Sequence, residues 1–316
     1  MTGVTDIILT AVFPVLSLAV VGAVLGWATD VDVDGLNTLV LYVLFPALIF
    51  DSTATASVSG GAITKIFVGI VAFTVVMFAL SDGLARILTD RAGVQNAIAL
   101  TGVFSNAGTF GIPVSAFAFG SAGRSAAVIY VTFQSALMYT VGVTIASRGS
   151  TVSGSALSEV LRLPILYAAG LGGSLAYLGA VPSTDGPFMS VIKLTGDAAI
   201  PVMLIMLGVQ LVRTDLRGAV RPAVPAVTLR LLVAPVAALV IALALGFRDS
   251  TVAKVFVLQC AVPASIATLI LTLEYTDTTA QTTTAGQFVG TVIFLTTVLG
   301  ALTVSVLIVA LQLLPL

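Results

Sequence analysis

The residues of this chain best suited to chemistry are amides, hydroxyls and helix-breaking residues rather than the usual catalytic side chains. Two segments stand out, FSNAGTFGIPV around Pro113 and LQCAVPASIAT around Pro263, each a proline among small and polar residues in an apolar stretch. A proline there removes a backbone donor and clashes with the preceding turn, and Gly108 and Gly111 weaken a helix further. Both segments therefore predict a kinked or broken helix. Backbone groups freed by a break need protein or water around them, which places a cavity there. A half-helix restarting at Pro113 would aim its N-terminal amides into that cavity, where negative charge is favoured. Ser105, Asn106 and Thr109 lie beside the first break, and Gln134 follows in VTFQSALMYT. Such amides both donate and accept, so together they can hold a carboxylate. The expected binding set is Ser105, Asn106, Thr109, Gly111, Pro113, Gln134 and Pro263, for a small organic anion. The same prolines also suit packing kinks, and the same amides suit bonds between helices.

Asp82 and Arg86 in LSDGLARIL stand four apart, on one helical face, as an ion pair that would support a proton or ion step. If that helix ends early, the pair is interfacial. Arg230, Asp197, Lys254 and Glu274 leave both readings open. Histidine is absent and Cys260 is the only cysteine. The commonest general base, a disulfide and a thiolate metal cluster are thus excluded. DVDVDG, with Asp30, Asp32, Asp34 and Gly35, copies the opening of a calcium loop, but Leu41 stands where the bidentate glutamate is needed. A solvated acidic turn is expected there, and neither metal nor cofactor. With 13 basic and 14 acidic residues and no basic run, nucleic-acid binding is set aside.

The elements that position these residues follow from composition. Of 316 residues 58% are hydrophobic and 9% charged, and mean hydropathy is +1.16. Apolar runs of roughly 20 residues, the length that crosses a bilayer, recur along the chain. The expectation is an all-α, multi-pass protein of the cell membrane, since the runs are continuous rather than alternating. Ten spans are read at about 5–27, 35–54, 62–87, 94–120, 124–147, 160–180, 187–212, 223–247, 252–274 and 283–312. MTGVTDIILTAVFP lacks the basic start and cleavage site of a signal peptide, so the first run is read as retained. The polar stretch SRGSTVSGSALSE at 147–159 divides the chain into halves 1–150 and 151–316. Prolines recur in register between them: Pro14 with Pro164 and Pro113 with Pro263 at an offset of 150, and Pro46 with Pro201 at 155. Gln134 has a counterpart in Gln287 at 153. Five spans per half, an odd number, would make the halves an inverted pair, with spans four and nine the broken helices. Arg86, Arg91, Arg148, Arg162, Arg213, Arg217 and Arg221 lie near odd-numbered connections, against Lys65, Arg124, Lys193, Arg248 and Lys254 near even ones. That distribution favours odd connections inside and both termini outside.

Six segments in order, NTLVLYVLFPALIF from Asn37, SNAGTFGIPV from Ser105, VTFQSALMYT from Val131, KLTGDAAIPVMLIMLGVQL from Lys193, LRLLVAP from Leu229 and QCAVPASIATLILTLEY from Gln259, carry a resemblance. The chain resembles the auxin efflux carrier family, which includes plant auxin carriers and prokaryotic permeases for dicarboxylates. The resemblance implies ten helices in two inverted five-helix repeats, with scaffold and transport domains each assembled from both halves. It also implies that broken helices four and nine cross at Pro113 and Pro263. It assigns the substrate carboxylate to Asn106 and Gln134, and a support site to Asp82 and Arg86. Arg86 replaces the lysine of plant carriers and would not readily release a proton. The long hydrophilic loop of many plant members is missing. The expected function is a secondary transporter of a small organic anion, a carboxylate, working by alternating access and not an enzyme. The alternatives are a non-transporting membrane sensor for a carboxylate or a membrane-embedded enzyme, the latter disfavoured by the missing histidine. Coupling to protons or sodium, direction and assembly as a homodimer stay open.

Overall fold

The computed structural model describes residues 13–56, 58–148, 161–212, 220–275 and 279–313, so the joint near residue 150, Arg213 and Arg217 lie outside the described residues. The described chain is helical: α1 Phe13–Ala28, α2 Val33–Ala54, α3 Gly60–Leu88 and α4 Ala92–Val103 come first. A helical run Ala107–Ala146 follows, divided at Gly120 into α5 (107–119) and α6 (121–146). Then come α7 Pro164–Tyr177, α8 Pro187–Val212, α9 Val220–Leu245, α10 Ser250–Ala261, α11 Ala267–Tyr275 and α12 Thr279–Leu313. Six helical stretches among the described residues are long and apolar enough to cross a membrane, and α1 and α10 are shorter apolar helices. The multi-pass expectation stands on these.

Gly120 has φ 65°, a conformation that costs glycine nothing and other residues much. A Cβ on Gly123 would sit 2.4 Å from the Ser115 carbonyl oxygen, so the chain turns sharply between α5 and α6. Aspartate side chains close two of the described helix starts. Asp32 Oδ1 accepts from the amides of Asp34 and Gly35 at 3.1 Å each, and Asp249 Oδ1 accepts from Thr251 and Val252 at 2.8 and 3.3 Å. The acidic turn of the DVDVDG segment is therefore, in part, a helix cap.

Three prolines inside the spans follow widened turns, whereas Pro201 and Pro225 lie within α-helical stretches. Wide i→i+5 turns occupy Val40–Leu44, Ala107–Gly111 and Leu229–Val233, each ending two residues before a proline: Pro46, Pro113 and Pro235. Proline has no N–H and clashes with the carbonyl four residues back, and a widened turn removes both demands without leaving polar backbone in lipid.

The helices pack in two groups. In one, α1 lies along α8, and α2 lies along α7 and α8. A Cβ on Gly22 would fall 1.9 Å from the Ile205 carbonyl oxygen, and one on Gly208 would fall 1.9 Å from that of Ala19. Backbones thus touch where lipid offers no hydrophobic drive and close packing must hold the pair. In the other group α3 packs on α4 and α9, α10 on α5, α6 and α9, and α12 on α4, α9 and α11.

Candidate functional site

The second group contains the two breaks. After α4 the chain is extended through Phe104 (φ −95°, ψ 120°) and restarts as a helix at Ala107. After α10 it is extended at Val262 (φ −63°, ψ 162°) and restarts at Ala267. The two unwound segments pair as an antiparallel bridge, Ser105 opposite Ala264. The Asn106 amide donates to the Pro263 carbonyl at 2.7 Å, and the Ser265 amide donates to that of Phe104 at 2.9 Å. Each break thereby satisfies backbone groups that the other exposes, as the bilayer interior demands.

One expectation needs correction. The first half-helix restarts at Ala107, not at Pro113, which sits within the first turns of α5. The amides of Gly111 and Ile112 reach back five residues, to Asn106 and Ala107, so Pro113 needs no break. Pro263, by contrast, lies in the break itself, its ring against Gly300. The half-helices α4 and α10 end at Val103 and Ala261, 158 residues apart. The offset of 150 that pairs Pro113 with Pro263 therefore joins two positions that differ in structure.

The predicted polar residues gather at this crossing. Asn106 is 4% exposed. Its Oδ1 accepts from the Thr109 hydroxyl at 2.6 Å, while its Nδ2 has no partner among the described residues. Gln134 and Ser105 hold each other: the Ser105 hydroxyl donates to Gln134 Oε1 at 2.6 Å, and Gln134 Nε2 donates to the Ser105 carbonyl at 2.8 Å. Gly111 leaves room for the Gln259 amide, whose Oε1 would lie 2.1 Å from a Cβ there. Gln259 is fully buried on α10, donates to Ser115 Oγ at 3.1 Å and leaves Oε1 unpaired. Sequence reasoning passed over it, although a buried amide in an apolar run was a visible signal.

Asp82 and Arg86 stand apart from this crossing. Arg86 is 71% exposed, two residues before the end of α3, and donates to Asp82 at 2.9 Å. Arg148, beyond α6, donates to the other Asp82 oxygen at 2.8 Å, and Asn96 of α4 donates to the Arg148 carbonyl at 3.0 Å. The pair thus ties together ends of α3, α4 and α6.

Two arginines complete the picture. Arg230, in the widened turn of α9, is fully buried and faces the crossing. Arg124 of α6 reaches into the first packing group, with Nη2 on Asp51 at 2.8 Å, Nη1 on Asp197 at 2.5 Å and Nε on Ser52 at 3.0 Å. Lys193 joins Asp197 at 2.8 Å.

At the other ends of α2 and α8, an open cleft of about 970 Å³ separates the groups. Asp30, Asp34 and Leu207 line one wall, and Ile266, Leu269 and Gln287 the other. Ile266 directly precedes α11, so the cleft reaches the second restart. None of the seven predicted binding residues lines it. Phe45 of α2 lies against Gly108, 3.1 Å from where a Cβ would be, and covers the first restart.

A family model described as membrane transport protein matches residues 7–160 and again residues 149–302. An uncharacterized transporter of Methanothermobacter thermautotrophicus is 29% identical over 279 residues, covering 86% of this chain and 89% of its own length. With two matches that together span most of a multi-pass helical chain, the protein belongs to the membrane transport protein family, that of the auxin efflux carriers.

Proposed function

We propose that this protein is a secondary transporter that moves a small organic anion, a carboxylate, through the paired breaks by alternating access. The observation that carries the reading is the Asn106 side chain, buried at the start of a half-helix with its Nδ2 donor unspent. A buried donor without a partner costs about 1–3 kcal/mol. That cost is recovered if an acceptor arrives, and the first amides of α5 have no acceptor within their own helix. The positive end of the half-helix dipole favours an anionic acceptor over a neutral one.

Ten spans in two inverted five-helix repeats suit this reading, supported by the double match of one family model and the reciprocal pairing of the breaks. The first packing group then acts as scaffold and the second as the moving body. Access alternates because the groups are strapped together at one end by Arg124 and parted at the other by the cleft. Gln134 acts by fixing Ser105 and the geometry of the break.

Counterflow of labelled mono- and dicarboxylates in proteoliposomes tests this. Exchange of at least one carboxylate is expected, with Asn106→Ala slowing it about tenfold or more, the loss of one charge-assisted hydrogen bond. No movement of any carboxylate, or unchanged counterflow in Asn106→Ala, would overturn it.

A further inference from the structure

Among the described residues, Arg230 is the one large charged side chain at the crossing. It lies ten residues into α9, near mid-span, and is wholly shielded from solvent. Its guanidinium makes five hydrogen bonds, every one to a backbone carbonyl. Nε donates to Val262 at 3.0 Å, Nη2 to Val262 at 2.9 Å and to Cys260 at 2.7 Å, and Nη1 to Gly102 at 3.1 Å and Val103 at 3.5 Å. Gly102 and Val103 close α4, and Cys260 and Val262 close α10. The last carbonyls of both half-helices therefore converge on one group, which is also 5.9 Å from the centre of the Phe73 ring. Among the described residues no carboxylate pairs with it.

Helix C-termini carry partial negative charge, and carbonyls released at a break coordinate cations in transporters built on broken helices. A guanidinium is permanently protonated and presents five donors in a fixed fork. A charge at this depth persists only if something compensates it. Here the two opposed dipoles and the orphan carbonyls do so, and the arginine in turn satisfies them. We propose that Arg230 is a tethered counter-cation: it fills the place at the crossing where a sodium ion would otherwise neutralise the two half-helix ends, so the site needs no sodium. For coupling, this rests on the transporter reading, and it makes Arg230 a positioning residue that holds the breaks in register rather than a substrate ligand.

The test uses stability and so stands apart from any transport assay. The thermal midpoint of the purified full-length protein in detergent is compared in sodium, lithium, choline and low guanidinium chloride at equal ionic strength. The wild-type midpoint is expected to be the same in sodium and choline. Arg230→Ala is expected to lower it by roughly 5 °C or more, with recovery in about 10 mM guanidinium, far below denaturing concentration, and none in choline. Arg230→Lys, which keeps charge but loses the fork, should fall between. A saturable rise of the wild-type midpoint with sodium would overturn the proposal, as would an Arg230→Ala protein that matches wild type or ignores guanidinium. If Arg230→Ala does not accumulate, Arg230→Lys and the wild-type titration decide, and an Arg230→Lys midpoint equal to wild type counts against it.

Discussion

Removing the Arg124 guanidinium should unseal the end of the molecule where the two packing groups are strapped together. Arg124 and Asp51 side chains are 14% and 11% exposed, so Arg124→Ala leaves a largely buried carboxylate without its partner. Breaking a fully buried pair costs about 3–5 kcal/mol. The Asp197 arm adds little, since that carboxylate is 43% exposed and keeps Lys193, and exposed pairs are worth about 0–1 kcal/mol. A cavity of about 340 Å³ beside the strap lets water reach Asp51 and lowers the cost further. A net loss of about 2 kcal/mol from the sealed state shifts the sealed-to-open ratio roughly 30-fold. Thr55 at the end of α2 and Ser121 at the start of α6 both line that cavity and are exposed. Spin labels on Thr55→Cys and Ser121→Cys should report one short distance in the wild-type background and a growing longer population with Arg124→Ala. Cys260 is buried and should not take the label. Arg124→Lys should shift the ratio less, and Asp197→Asn less again. Identical distance distributions with and without Arg124 would refute the strap.

Other substitutions separate packing from binding. Gln134→Ala strands the Ser105 hydroxyl and carbonyl, so a stability loss of about 1–3 kcal/mol is expected, read as a lower denaturation midpoint together with reduced counterflow. Gly208→Ala would press a methyl to within 1.9 Å of the Ala19 carbonyl. That variant should lower the midpoint by several degrees, whereas Gly170→Ala, with open space around it, should not. Asp32→Ala removes the cap of α2 and should cost about 1 kcal/mol, with calcium leaving the midpoint of either protein unchanged.

The helical, multi-pass character was legible because continuous apolar runs leave a helix few alternatives in lipid, and six stretches among the described residues are long enough to cross. The stretch read at 187–212 is α8, and that read at 62–87 is α3 within two residues. The breaks were legible only in kind. Proline and glycine in FSNAGTFGIPV announced an interruption, but its place depends on Asn106 meeting Pro263, a pairing 157 residues away that no local pattern encodes. The widened turn that lets Pro113 stay helical misled the reading, and the same device precedes Pro46 and Pro235. Arg230 and Arg124 were visible as charges in apolar surroundings. Their roles were not, because their partners lie up to 128 and 73 residues away.

Because each unwound segment hands its spare amide to the other, neither half can complete its own backbone bonding. Severed in the connection between α6 and α7, the two fragments should accumulate in the membrane only when co-expressed, each acting as the other's template. An isolated half would present Asn106 N–H or Ser265 N–H to hydrocarbon and be cleared by quality control.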